Sequence, residues 1–142
     1  HLRLHTEFSI NDGIVTIKPL IAKLRELSMP AVAITDLANM FSLIKFYKAA
    51  LGAGIKPVCG CDVLVESDDR SKQTRLVLLV KNEAGYLSLT KLISELYTEN
   101  PNQSEPVVRK SQLQGRVDGL IALSGAQNSD MGVAMDRAKQ PE

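Results

Sequence analysis

The chain has 142 residues, 44% of them hydrophobic and 23% charged, and its 17 basic and 16 acidic side chains leave a net charge of +1. A chain of this length makes one typical domain and buries roughly two-thirds of the surface it exposes when unfolded. The near-neutral balance argues against a broad nucleic-acid-binding face, no apolar run approaches the ~18–20 residues of a membrane span, and nothing has the pattern of a signal peptide.

The first predicted element is a strand over Leu2–His5, on which alternation would turn His1, Arg3 and His5 to one face. A polar loop follows and ends at Asp12-Gly13. A helix is predicted from about Lys18, with Pro19 in its first turn and Leu20, Ile21, Leu24 and Leu27 as its apolar stripe. Met29-Pro30 stops it. Ala31–Thr35 is a short apolar run of the kind found in buried parallel strands. A second helix carries Leu43, Ile44, Tyr47, Ala50 and Leu51, and ends at Gly52-Ala53-Gly54.

Pro57–Val65 and Arg75–Val80 read as the third and fourth strands, joined by a charged turn over 67–72. They are either a local antiparallel hairpin or two edges of a larger sheet. Cys59 and Cys61 are too close for an ordinary disulfide and unlike any zinc spacing, so they read as small buried residues in a reducing cytosol. A third helix begins after Asn82 and is expected to bury Tyr86, Leu89, Ile93, Leu96 and Tyr97. A polar loop runs over 99–106. A fifth strand spans Gly119–Ser124, and a last helix starts near Ser129. The chain starts on His1 inside an apolar run and stops on a helical pattern at 134–139. It is therefore expected to be the N-terminal piece of a longer domain.

Strands alternating with helices predict an α/β fold, a parallel sheet or barrel with helices outside. In such folds the working face lies at the carboxyl ends of the strands. Polar residues gather there: His5 and Asp12 after the first strand, Thr35-Asp36 after the second, and Ser124-Gly125 after the fifth. Asp62 lies within the third strand, and Arg75 begins the fourth. Two imidazoles, His1 and His5, and the carboxylate of Asp12 suggest a metal site, yet Arg3 is a group no metal accepts.

Arg3-Leu-His5-Thr-Glu-Phe-Ser with Asp12-Gly13, and Ala33-Ile-Thr-Asp36-Leu37-Ala-Asn39, resemble the first two motifs of the PHP (polymerase and histidinol phosphatase) family. The stretches around Lys45-Phe-Tyr47, Gly54–Val63, Lys81–Leu89 and Gly119–Gly125 resemble more particularly the branch at the amino terminus of bacterial replicative polymerases. The resemblance implies a distorted (β/α)7 TIM-like barrel, of which residues 1–142 are the N-terminal portion. It also implies an ancestral zinc or manganese cluster that hydrolyses phosphoesters, since clustered cations lower the pKa of a bridging water and neutralise phosphate charge.

Matched position by position, that site is degraded. Arg3 replaces the first histidine of His-x-His, and Leu37 replaces the histidine of Thr-Asp-His, leaving Asp36 without its ligand neighbour. Asp62 stands for a glutamate, Arg75 for a histidine, and Ala126 for a cysteine. Only His5 and Asp12 are unchanged. The late Asp-x-His pair of active members would fall beyond residue 142. No catalytic residue and no bound cofactor are expected in this domain, magnesium being the ion of the longer polymerase.

The expected function is that of a scaffold and docking surface in a DNA-directed DNA polymerase, in the cytoplasm and off the membrane. Its partners would be the polymerase body of the same chain, the proofreading exonuclease subunit, and DNA through the longer protein. The alternative is a surviving metal-dependent phosphoesterase, a 3′–5′ exonuclease or pyrophosphatase, using His5, Asp12 and Asp62. Direct nucleic-acid contact through Lys45, Lys48, Lys56, Arg109 or Lys110 is a weaker possibility. For the lost site, Arg3 is expected to pair with Asp36 or Asp12 as a salt-bridged plug, and Arg3→His to cost ~3–5 kcal/mol without restoring activity.

Overall fold

A computed structural model describes residues 1–67, 73–99 and 106–138. Residues 68–72 of the expected turn, 100–105 of the expected loop and 139 of the expected last helical pattern lie outside these described residues. Strands β1 (Ala31–Ile34), β2 (Lys56–Glu66), β3 (Gln73–Val80), β4 (Val107–Val108) and β5 (Leu120–Ser124) form one sheet. Helices α1 (Ile17–Glu26), α2 (Leu43–Gly52), α3 (Glu83–Glu99), α4 (Lys110–Leu113) and α5 (Asp130–Ala138) flank it, with a short 3-10 turn at Ala126–Asn128.

The eleven-residue strand β2 organises the sheet. Its first half pairs parallel with β1, from Ala31 beside Lys56 to Ile34 beside Cys59. Its second half pairs antiparallel with β3, from Gly60 beside Leu79 to Glu66 beside Gln73. The two-residue β4 adds parallel to Leu64 and Val65, and β5 pairs antiparallel with β3. The sheet is therefore mixed, and of the two arrangements left open for the third and fourth strands the antiparallel hairpin is realised. The α/β class stands.

Side-chain alternation divides the sheet into two faces. On one, Val32 and Ile34 pack with Ile17, Ile21 and Leu24 of α1 and Leu43, Phe46 and Ala50 of α2. Further along that face, Cys61, Val63, Val65 and Leu78 pack with Leu89, Leu92, Ile93 and Leu96 of α3. The opposite face carries Ala33, Val77 and Leu79, with Val58 and Leu123 against them. Asp62 faces Val77 across the ladder and therefore shares this second face.

Three expectations are corrected. Leu2–His5 forms no regular strand. Ala33 N donates to the His1 carbonyl and Thr35 N to the Leu4 carbonyl, both at 2.9 Å, so donors two apart meet acceptors three apart. One extra residue on the N-terminal segment breaks the ladder there, much as a bulge does. Leu4 N turns instead to Thr35 Oγ1 at 2.9 Å. Leu27 falls outside α1 and is 55% exposed. On α3 the buried stripe runs through Leu92 rather than Tyr97, which is 41% exposed.

Candidate functional site

Asp62 lies at the middle of the site. Its side chain is fully buried in the second sheet face, and its backbone joins two elements: Asp62 N donates to the Asp36 carbonyl and Ala38 N to the Asp62 carbonyl. One carboxylate oxygen, Oδ2, receives three basic side chains. Arg3 approaches through Nε at 2.9 Å and Nη2 at 2.7 Å, His5 Nε2 stands at 3.0 Å, and Arg75 Nη1 at 3.5 Å. The other oxygen, Oδ1, is buried with no hydrogen-bond partner among the described residues.

Asp12 closes the cluster from the loop. Its Oδ2 lies 3.1 Å from His5 Nδ1 and 3.0 Å from Arg75 Nη1. The loop brings it there by folding back on itself, with Glu7 N donating to the Val15 carbonyl and Thr6 bridging Val15. Gly13 makes this possible: a Cβ there would sit 1.9 Å from the Thr6 carbonyl oxygen. Both ring nitrogens of His5 therefore face carboxylates. Carboxylates only accept, so the two bonds form together only when the ring carries both protons.

The charges act on one another. Arg75's hydrogen bond holds the Asp12 carboxyl below its usual range, against a smaller opposing effect of burial, with the charges of His5 and Arg75 adding to it. Burial alone would raise Asp62, but the hydrogen bonds from His5 and Arg3 and the Arg3 charge outweigh it, and the net shift is downward. Both carboxylates are thus held ionised by neighbouring cations.

Asp36 stands apart from this cluster. It is 1% exposed, and among the described residues its donors are all neutral. Thr6 N and Ser9 Oγ donate to Oδ1 at 2.6 and 2.7 Å, Ser42 Oγ donates to Oδ2 at 2.5 Å, and Thr6 Oγ1 reaches both oxygens. The expected pairing of Arg3 with Asp36 or Asp12 is therefore corrected: Arg3 pairs with Asp62. The hydroxyls occupy Asp36 completely, and Asp12 is taken by Arg75 and His5. Sequence reasoning gave Thr6, Ser9 and Ser42 no role, although a buried carboxylate among hydroxyl residues was a usable signal.

The remaining positions lie at the edges. Leu37 bridges Asp62 through its backbone, and its N–H donates to Ser9 Oγ at 3.0 Å. Ala126 is exposed at the start of the 3-10 turn with φ of 52°. Of the lysines considered for nucleic acid, Lys45 and Lys48 lie on α2, Lys56 on β2 and Lys110 on α4; Lys45 is 3.6 Å from Glu7 and Lys110 is 3.0 Å from Asp130. Burial raises the thiol pKa of both cysteines, most strongly that of Cys61. Among the described residues, no helix is long and apolar enough to cross a membrane.

As a metal site, the donor set is poor. His5 has both nitrogens on carboxylates, and the two arginines hold an oxygen of each aspartate, leaving Asp62 Oδ1 and the second oxygen of Asp12. Two oxygens do not fill a tetrahedral shell, and fixed guanidinium charges beside them oppose a cation.

Known proteins are similar to this chain in sequence, and solved structures in fold. The chain is similar to DNA polymerase III subunit alpha from Pseudomonas aeruginosa, 48% identical over 136 residues. It is 40% identical over 143 residues to the subunit from Vibrio cholerae, and 41% over 138 to that from Escherichia coli. These matches cover 95%, 100% and 96% of the chain, which spans 12% of the length of each relative. Among solved structures, a protein assigned as a metal-dependent phosphoesterase from Bifidobacterium adolescentis is 16% identical, with a TM-score of 0.55, over 72% of this chain and 34% of that one. An amidohydrolase from Chromobacterium violaceum, solved with bound sulfate and no metal, is 22% identical, with a TM-score of 0.55, over 70% and 33% of the two chains. These two show the fold. The PHP domain model matches residues 1–142, and with the strand-end cluster and the shared fold on the same stretch, the chain belongs to the PHP domain family.

Proposed function

We propose that this chain is the amino-terminal PHP domain of a replicative DNA polymerase alpha subunit and that its ancestral metal site has become a structural ion-pair plug. The observation that carries this is the convergence of Arg3, His5 and Arg75 on Asp62 Oδ2, with His5 and Arg75 also on Asp12. Removing cations from a pocket holding two aspartates leaves like charges in repulsion. Two guanidiniums supply the missing positive charge with directional bonds, and the His5 ring stands between the two aspartates. On this reading His5, Asp12 and Asp62 are vestigial ligand positions, and Arg3, Asp36, Leu37, Arg75 and Ala126 mark the former site.

The domain then serves as a scaffold for the polymerase body and as a docking surface for the proofreading exonuclease subunit, in the cytoplasm. Polymerisation, its magnesium and contact with DNA belong to the longer protein. The unpartnered Asp62 Oδ1 favours a second reading, a surviving phosphoesterase that binds zinc or manganese through Asp62, Asp12 and His5. Metal analysis of the purified full-length chain, after incubation with zinc or manganese and with a phosphodiester assay, separates the two. Neither stoichiometric metal nor turnover is expected. Stoichiometric metal with turnover abolished by His5→Ala would establish the second reading instead.

A further inference from the structure

We draw no further inference here: the strongest candidate, the apolar groove of about 730 Å³ between α2, the start of β2 and the start of α3, lined by Ile44, Tyr47, Cys59 and Tyr86, carries none, because nothing in the structure shows what covers it.

Discussion

Arg3 grips Asp62 through two nitrogens of its guanidinium, Nε at 2.9 Å and Nη2 at 2.7 Å, both on the same carboxylate oxygen. The partners are unequally placed, Asp62 fully buried and the Arg3 side chain 47% exposed. That asymmetry lowers the expected cost of losing Arg3 below the ~3–5 kcal/mol of a buried pair, because Asp62 keeps His5 and Arg75 and solvent screens the lost charge. Arg3→Ala should destabilise the domain by about 1–2 kcal/mol, and Asp62→Ala by about 2–3 kcal/mol, since it takes the carboxylate from Arg3 and one of two carboxylate contacts from His5 and Arg75. In a double-mutant cycle read by urea unfolding, the two changes should couple by about 1 kcal/mol. Strict additivity would show that the pair contributes nothing. On the proposed reading of a degraded site, Arg3→His should show no phosphodiesterase turnover, because Leu37, Arg75 and Ala126 would still stand at former ligand positions.

The same cluster sets a pH dependence. Asp12 and Asp62 have carboxyl pKa values below the unfolded value, so the folded state binds protons less readily than the unfolded one. Their stabilisation is complete above the unfolded pKa of about 4 and is lost as pH falls through the lower folded values. Stability measured from pH 7 to pH 2 should therefore fall below about pH 4 in the wild type, and less steeply in Asp62→Asn. Parallel curves for the two proteins would remove Asp62 from the account. Asp12, with its side chain 44% exposed, should contribute the smaller part.

Much of the fold was legible because local patterns agree with tertiary burial. Ile21 and Leu24 on α1, and Leu89, Ile93 and Leu96 on α3, fall on buried faces that periodicity alone marks out. The N-terminal strand was misread because its apolar alternation is sound but its ladder slips by one residue between His1 and Leu4. The partner of Arg3 was beyond reach for a related reason. A sequence supplies three candidate carboxylates, but only strand stagger decides which one meets a given guanidinium. Asp36 went to hydroxyls six to thirty residues away, Asp12 went to Arg75 sixty-three residues on, and Asp62 was left for Arg3.

Asp36 makes a separate prediction, because among the described residues its partners are neutral donors. Its carboxyl oxygens accept from Thr6, Ser9 and Ser42, and Asp36→Asn would replace one accepting oxygen by a donating amide that faces donors. The variant should lose about 2–4 kcal/mol, while Ser9→Ala and Ser42→Ala should each lose about 1–2 kcal/mol. Hydrogen exchange provides a local measurement: Thr6 N and Leu37 N should lose protection in Asp36→Asn before the α3 core does. Unchanged protection at those two amides would show that Asp36 does not hold the loops.

Gly13 is predicted to control Asp12 at a distance of one residue. An added Cβ would stand 1.9 Å from the Thr6 carbonyl oxygen and 3.3 Å from the His5 carbonyl carbon, both backbone atoms that cannot swing aside. Gly13→Ala must therefore open the return of the loop where Glu7 N meets the Val15 carbonyl at 3.0 Å. Asp12 would be carried away from His5 Nδ1 and Arg75 Nη1 together, while Asp62 kept Arg3 and His5. A loss of about 1–3 kcal/mol is expected, of the order of overpacking a close contact. In Gly13→Ala, the further substitution Asp12→Asn should then cost almost nothing, whereas in the wild-type background it should cost a measurable amount. If Asp12→Asn costs the same in both backgrounds, the glycine does not place the carboxylate, and the bond from Arg75 must bring the loop in by itself.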